Sequence, residues 1–128
     1  MNLLERLGGT IKLQNILKDF YDRLFDDIIV GFLFVNTDKQ HIIAMQHEFL
    51  CKLFGATKAY SGKSPATAHR HLPLLPGHFD RRIHVLKQTL LDQKVPQDVI
   101  DDWIKLENSL RDIILKNSAH HHATKDKS

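Results

Sequence analysis

Apolar residues near the start of the chain recur at three- and four-residue steps. Between Thr10 and Phe25, Leu13, Ile16, Leu17, Phe20, Tyr21 and Leu24 form one face of an amphipathic helix. Gly8-Gly9 permits a sharp turn before it, after a short helical segment carrying Leu3, Leu4 and Leu7. The run from Ile28 to Phe34 has the composition of a buried strand, but no second strand-like run follows to pair with it, so a tight helical connection is predicted. Asn36-Thr37-Asp38 then offers cap chemistry for a second long helix with the stripe Ile42, Met45, Gln46, Phe49, Leu50 and Leu53.

From Gly55 to His78 the periodicity stops, and the chain is rich in Gly, Pro, Ser and Thr. Irregular connections beyond about 12–15 residues are uncommon in compact domains and tend to carry function or disorder. Tyr60, Leu72, Leu74 and Leu75 serve as anchors here, which favours function. Phe79, Ile83, Leu86 and Leu90 restore helical spacing up to about Leu91, and Val95-Pro96 marks a break with proline at a first turn. Val99, Trp103, Leu106, Leu110, Ile113 and Ile114 make the last long helix. The expectation is an all-α domain over residues 1–116 with four main helices. Residues 117–128 form a polar, fraying tail.

A chain of 128 residues, 42% of them hydrophobic, is enough for one packed core and too short for two ordinary domains. The single cysteine, Cys51, excludes a disulfide scaffold and reads as a small half-buried apolar residue. No basic start leads into an apolar run, and no stretch approaches the ~20 apolar residues of a membrane span, so a cytoplasmic protein without a membrane partner is expected. The net charge of +3 is too small to demand nucleic acid. Its distribution is more telling, because no Asp or Glu occurs from Phe49 to Phe79, leaving Lys52, Lys58, Lys63 and Arg70 unopposed. That stretch suits an anionic ligand; the alternative is a solvated loop with no partner.

Nine histidines direct attention to metal or haem chemistry. His69 lies in the acid-free stretch, directly before Arg70 and two residues before His71. An uncharged imidazole is the usual proximal ligand in globin-like haem sites, two propionates suit a basic rim, and a flat macrocycle needs aromatic and aliphatic walls such as the helix stripes provide. A surface histidine without a ligand is the plainer reading, and a non-haem metal site on His69 and His71 is a third. His120 to His122 lack a fourth ligand at defined spacing and are left as tail. Gln46 interrupts an apolar face, which costs roughly 1–3 kcal/mol unless its amide is partnered. Tyr21 on the first long helix is a candidate partner, either presenting donors to a diatomic ligand or forming a purely structural bond.

The order ERLGG (Glu5 to Gly9), FYDRLFDD (Phe20 to Asp27), Phe34 to Asp38, Gln46 to Leu50 as Q-x-x-FL, Tyr60 to Gly62 as Y-x-G, and Ala68-His69 ten residues before Phe79 resembles the truncated haemoglobins, and the group-one branch most. The match covers about residues 1–115. It implies a two-over-two helical sandwich around a b-type haem whose iron is held by His69. By the same resemblance Tyr21 and Gln46 match distal polar residues, and Ile42 falls at the apolar distal position one turn before Gln46. Phe34 matches the phenylalanine that packs on the haem, Phe49 and Leu50 match pocket-wall positions, and the resemblance implies that Phe79 and Ile83 line the pocket from the next helix. Met45 packs at the haem edge, where some relatives place a sixth iron ligand. Lys63 and Arg70 are the cations expected near the propionates. The sequence departs from the pattern at Gly55-Ala56, where a glycine pair is usual, and at Ile83, where other branches carry tryptophan. Leu72 to Pro76 is closer to a third branch.

The resemblance implies a globin that binds dioxygen reversibly, for transport, storage or general diatomic-gas binding including NO and CO. No catalytic residue is assigned. The alternative is a nitric oxide dioxygenase or peroxidase-type haem enzyme served by a separate reductase, since the sequence contains no flavin domain. A monomer or weak oligomer is expected.

Overall fold

The computed structural model describes residues 1–55 and 75–111. They form α1 (Leu3–Leu7), α2 (Thr10–Phe25), a 3-10 turn (Gly31–Phe34), α3 (Lys39–Gly55), α4 (Pro76–Asp92) and α5 over residues 97–111. Among the described residues there is no strand, and the 28–34 run is a turn leading into the 3-10 segment, as its missing pairing partner predicts. No described helix is long and apolar enough to cross a membrane.

α2 is the centre of the packing, lying against α1, α3, α4 and the 3-10 turn. All six residues of its predicted stripe are buried. Full burial of such side chains contributes about 1.5–3 kcal/mol each before entropy is charged against it. α1 is only five residues long and relies on its ends. Asn2 accepts from the Glu5 amide at 2.8 Å and donates to the Gly55 carbonyl at 3.3 Å, while Gly8 ends the helix at φ +122°, where a side chain would be strained.

Asp38 caps α3, accepting from the His41 amide at 3.3 Å. The buried arc of this helix is broader than one stripe, because it packs on both α1 and α2. Ile43 and Phe54 are buried with Ile42, Gln46 and Leu50, whereas Met45, Phe49 and Leu53 are half-buried. Phe54 meets Trp103 of α5 edge-on at 5.0 Å, which joins the two helices. On α4 the predicted stripe of Phe79, Ile83, Leu86 and Leu90 is buried. On α5 the inner face runs Val99, Ile100, Trp103, Ile104 and Glu107, with Leu106 and Leu110 at its margin.

Two expectations need correction. Leu75 is 61% exposed and is no anchor; its extended backbone starts α4, and its amide donates to His78 Nδ1 at 3.3 Å. Lys52 is not unopposed, because Glu48, one turn back and just outside the acid-free stretch, pairs with it at 3.1 Å. Lys58, Tyr60, Leu72, Leu74, His71, Ile113, Ile114 and His120 to His122 lie outside the described residues.

Candidate functional site

The face of α2 toward its neighbours includes Tyr21, which is 2% exposed. Phe34 from the 3-10 turn, Ile42 and Leu50 from α3, and Phe79 and Ile83 from α4 belong with it to one hydrophobic core, with Phe49 packed against that core. Tyr21 and Phe34 meet edge to face at 6.5 Å, and Phe34 stacks on Phe25 at 4.8 Å. Gln46 is the polar member of the α3 face and is 3% exposed. Met45 beside it is half-buried. His69, Lys63 and Arg70 lie outside the described residues.

The position of Phe34 is set by a carboxylate. Asp27 Oδ2 accepts from the Ile29 and Val30 amides, each at 3.0 Å, and so satisfies the start of the turn. Arg81 of α4 then grips the same carboxylate through Nη2 at 2.7 Å and Nε at 3.1 Å. Arg81 and the two amides hold the Asp27 carboxyl below the usual carboxylate range, against the opposing effect of burial. Gly31 lets the chain pass close to α2, since a Cβ there would stand 2.8 Å from the Phe25 carbonyl oxygen. These contacts aim the 3-10 turn, and with it Phe34, at Tyr21.

Sequence reasoning missed the other polar groups at Tyr21. Arg82 of α4 turns inward, its guanidinium carbon 5.3 Å from the Phe20 ring centre and 5.9 Å from that of Phe79. Arg82 Nη1 donates to Glu107 Oε2 at 2.6 Å, and Trp103 Nε1 donates to Glu107 Oε1 at 3.1 Å. Burial pushes the Tyr21 phenol up from its ordinary value, with the nearby Arg82 charge working the other way. Arg82 itself is held above its ordinary value: burial disfavours the cation, and Glu107 and Tyr21 more than offset it. The signal was present in the spacing. Arg82 falls three residues after Phe79 and four before Leu86, and Glu107 four after Trp103, so opposite charges interrupt two apolar stripes.

Chemically, the described residues place a buried phenol and a buried amide among apolar side chains, two groups that can donate hydrogen bonds. Among the described residues no three His, Cys, Asp or Glu side chains converge as a metal site.

Residues 2–116 match the bacterial-like globin family. The group 1 truncated hemoglobin of Tetrahymena thermophila is 32% identical over 115 residues, spanning 89% of this chain and 95% of the relative. The solved 2/2 hemoglobin from Synechococcus sp. PCC 7002, in the cyanomet state and with covalently attached heme, superposes with a TM-score of 0.81 at 31% identity, covering 91% of this chain and 99% of that one. A truncated hemoglobin from Tetrahymena pyriformis does so with a TM-score of 0.78 at 31% identity, over 90% and 98% of the two chains. With matches of this extent, on a core that α2, α3 and α4 share with a buried tyrosine and glutamine, the chain belongs to the truncated 2/2 haemoglobins and is similar to members of group one.

Proposed function

We propose that the globin unit, residues 1–116, holds a b-type haem through His69 and binds dioxygen reversibly on the side of Tyr21 and Gln46, in the cytoplasm. The observation that carries this reading is the pairing of two buried polar tips, Tyr21 and Gln46, with apolar walls from three helices and the 3-10 turn. Those residues fit haem: Phe34, Ile42, Leu50, Phe79 and Ile83 supply a dry aromatic and aliphatic surface for the macrocycle. When bound, haem supplies an iron that coordinates diatomic gases. The chain's own part is to hold it by the His69 imidazole, balance its propionates with Lys63 and Arg70, exclude water, and donate from Tyr21 and Gln46. In a water-poor enclosure such hydrogen bonds are stronger than in bulk.

The family lends further support. Solved forms of the Tetrahymena pyriformis protein carry single substitutions at a tyrosine and at glutamines twenty-one and twenty-five positions later. The same intervals from Tyr21 reach Ile42 and Gln46 here.

His69→Ala should abolish haem retention or leave it dependent on added imidazole, while His71→Ala should be mild. The reverse pattern in the absorption spectrum would move the proximal role to His71. Tyr21→Phe and Gln46→Leu should each speed dioxygen release in stopped flow, about tenfold if one net bond of ~1.4 kcal/mol is lost. Carbon monoxide release should change far less, and the double variant should fall short of the product of the singles. Unchanged dioxygen release in all three variants would remove the distal role from both residues. Lys63 and Arg70 should each matter modestly to haem loss, as exposed ion pairs contribute about 0–1 kcal/mol.

A further inference from the structure

The 3-10 turn is held by few buried side chains. Between Ile28 and Val35, Val30 and Phe34 are buried and Leu33 is partly so, whereas Ile28, Ile29, Phe32 and Val35 are exposed. A segment that already shows most of its large apolar groups to water gives up little burial when it opens. Its polar ties therefore matter more. Asp27, at the foot of the turn, serves three consecutive amides: its Oδ2 accepts from Ile29 and Val30 at 3.0 Å each, and its carbonyl oxygen accepts from Gly31 at 2.8 Å. Its side chain is only 7% exposed. The turn packs on α2, and it is tied toward α4 by the edge of Phe32 against the His78 ring at 5.5 Å and by Arg81, which holds the Asp27 carboxylate through Nη2 at 2.7 Å and Nε at 3.1 Å. Arg81 lies between Phe79 and Ile83 in the sequence, both buried.

We propose that the Asp27–Arg81 pair is a latch between two walls of the haem site, the 3-10 turn and α4, and that haem leaves when this latch opens and the turn swings away. Asp27 and Arg81 act as positioning residues, through the turn that carries Phe34. A two-pronged, charge-assisted bond is geometrically demanding, so it holds the turn in one place and is lost as a unit. Haem escape and local opening of the turn then share one equilibrium, separate from unfolding of the whole domain. The inference rests on the haem reading given above.

In the test, the full chain loaded with ferric haem is mixed with excess apomyoglobin, and haem transfer is followed by absorbance. Arg81→Ala should lose haem about threefold to fivefold faster than the parent protein, and Asp27→Ala about tenfold to thirtyfold faster, because it also strips two amides of their acceptor. Arg81→Lys keeps the charge without the planar fork and should fall between the parent protein and Arg81→Ala. The control is Arg6→Ala, which breaks ion pairs of an arginine as exposed as Arg81, 31% in each case, in the seam between α1 and α5. It should change haem loss by less than about twofold. Hydrogen exchange in the carbonmonoxy form reads the turn directly. The Gly31 and Leu33 amides, bonded within the turn, should exchange faster in Arg81→Ala by the same factor as haem loss, while Leu17 on α2 keeps its parent rate.

Parent rates of haem loss in Arg81→Ala and Asp27→Ala overturn the inference. An acceleration that Arg6→Ala matches also overturns it, since haem loss would then follow general destabilisation. Faster haem loss with unchanged Gly31 and Leu33 exchange does the same, because some other element would be opening. A chain that takes up no haem at all removes the haem reading and this inference together.

Discussion

Arg81 and Arg82 are consecutive on α4 and bind carboxylates in opposite settings. Arg81, with 31% of its side chain exposed, reaches back to Asp27 at the rim and fastens the turn that carries Phe34. Arg82 turns into the core, where Glu107, its other oxygen held by Trp103, pairs with it. The rim pair needs only one good carboxylate, because water reaches the arginine. The core pair has to be complete, since each charge there has given up most of its hydration. One contact organises backbone and the other ties α4 to α5, although the two arginines differ by a single step of the helix.

The sharpest way to break this contrast is to leave one core charge alone. Glu107→Ala should destabilise the protein by about 3–5 kcal/mol in urea unfolding, because Arg82 stays buried without its carboxylate. Arg82→Met with Glu107→Leu should recover most of that loss, as apolar replacements of similar size often match a buried ion pair. A double variant no better than Glu107→Ala would mean that packing, and not the uncompensated charge, governs the site.

At the rim, Asp27→Ala should cost about 2 kcal/mol, since it removes a charge-assisted bond and two acceptors for backbone amides. Arg81→Ala should cost about 1 kcal/mol or less, because the amides keep their acceptor and solvent replaces the guanidinium. Equal losses from the two would contradict the view that Asp27 works chiefly on the turn.

The pH dependence sharpens the same point. Asp27 has a folded value below its ordinary 3.8, so its contribution is complete above that value and is withdrawn as the pH falls through the lower, folded one. Asp27→Asn should flatten the acid limb of a stability profile. An acid limb identical to that of the parent protein would assign the loss to other carboxylates. The smallest effect belongs to Lys52→Ala: the exposed pair with Glu48, one helical turn apart, should change stability by less than about 0.5 kcal/mol.

The same contrast explains what could be read from the sequence. α2 and α4 were legible because Leu13, Ile16, Leu17, Phe20, Tyr21 and Leu24, then Phe79, Ile83, Leu86 and Leu90, report burial by spacing alone. Gln46 stood out as a polar residue on an apolar face. Asp38 was legible as a cap, because its chemistry is local. Arg82 and Glu107 were not read as a pair, although each interrupts an apolar stripe, since nothing local says that the two stripes meet until α4 and α5 are brought together across 25 residues. The breadth of the α3 face was hidden for a related reason. Burial of Ile43 and Phe54 depends on which helices α3 meets, and periodicity within α3 does not report its neighbours.

Arg6 adds a constraint on the order in which the molecule can form. Its guanidinium bridges Asp98 and Asp102, each at 2.8 Å, across sequence separations of 92 and 96 residues. A five-residue helix such as α1 has little stability of its own, because nucleation outweighs the few hydrogen bonds it gains. α1 therefore draws its stability from α2 and α3, on which it packs, and its Arg6 bridge to α5 closes only once residues 98 and 102 have been made. α2 and α3 can associate early through short loop closures, while the seam between α1 and α5 is sealed only at the end. Weakening Arg6 should then hasten unfolding while leaving the folding rate nearly unchanged.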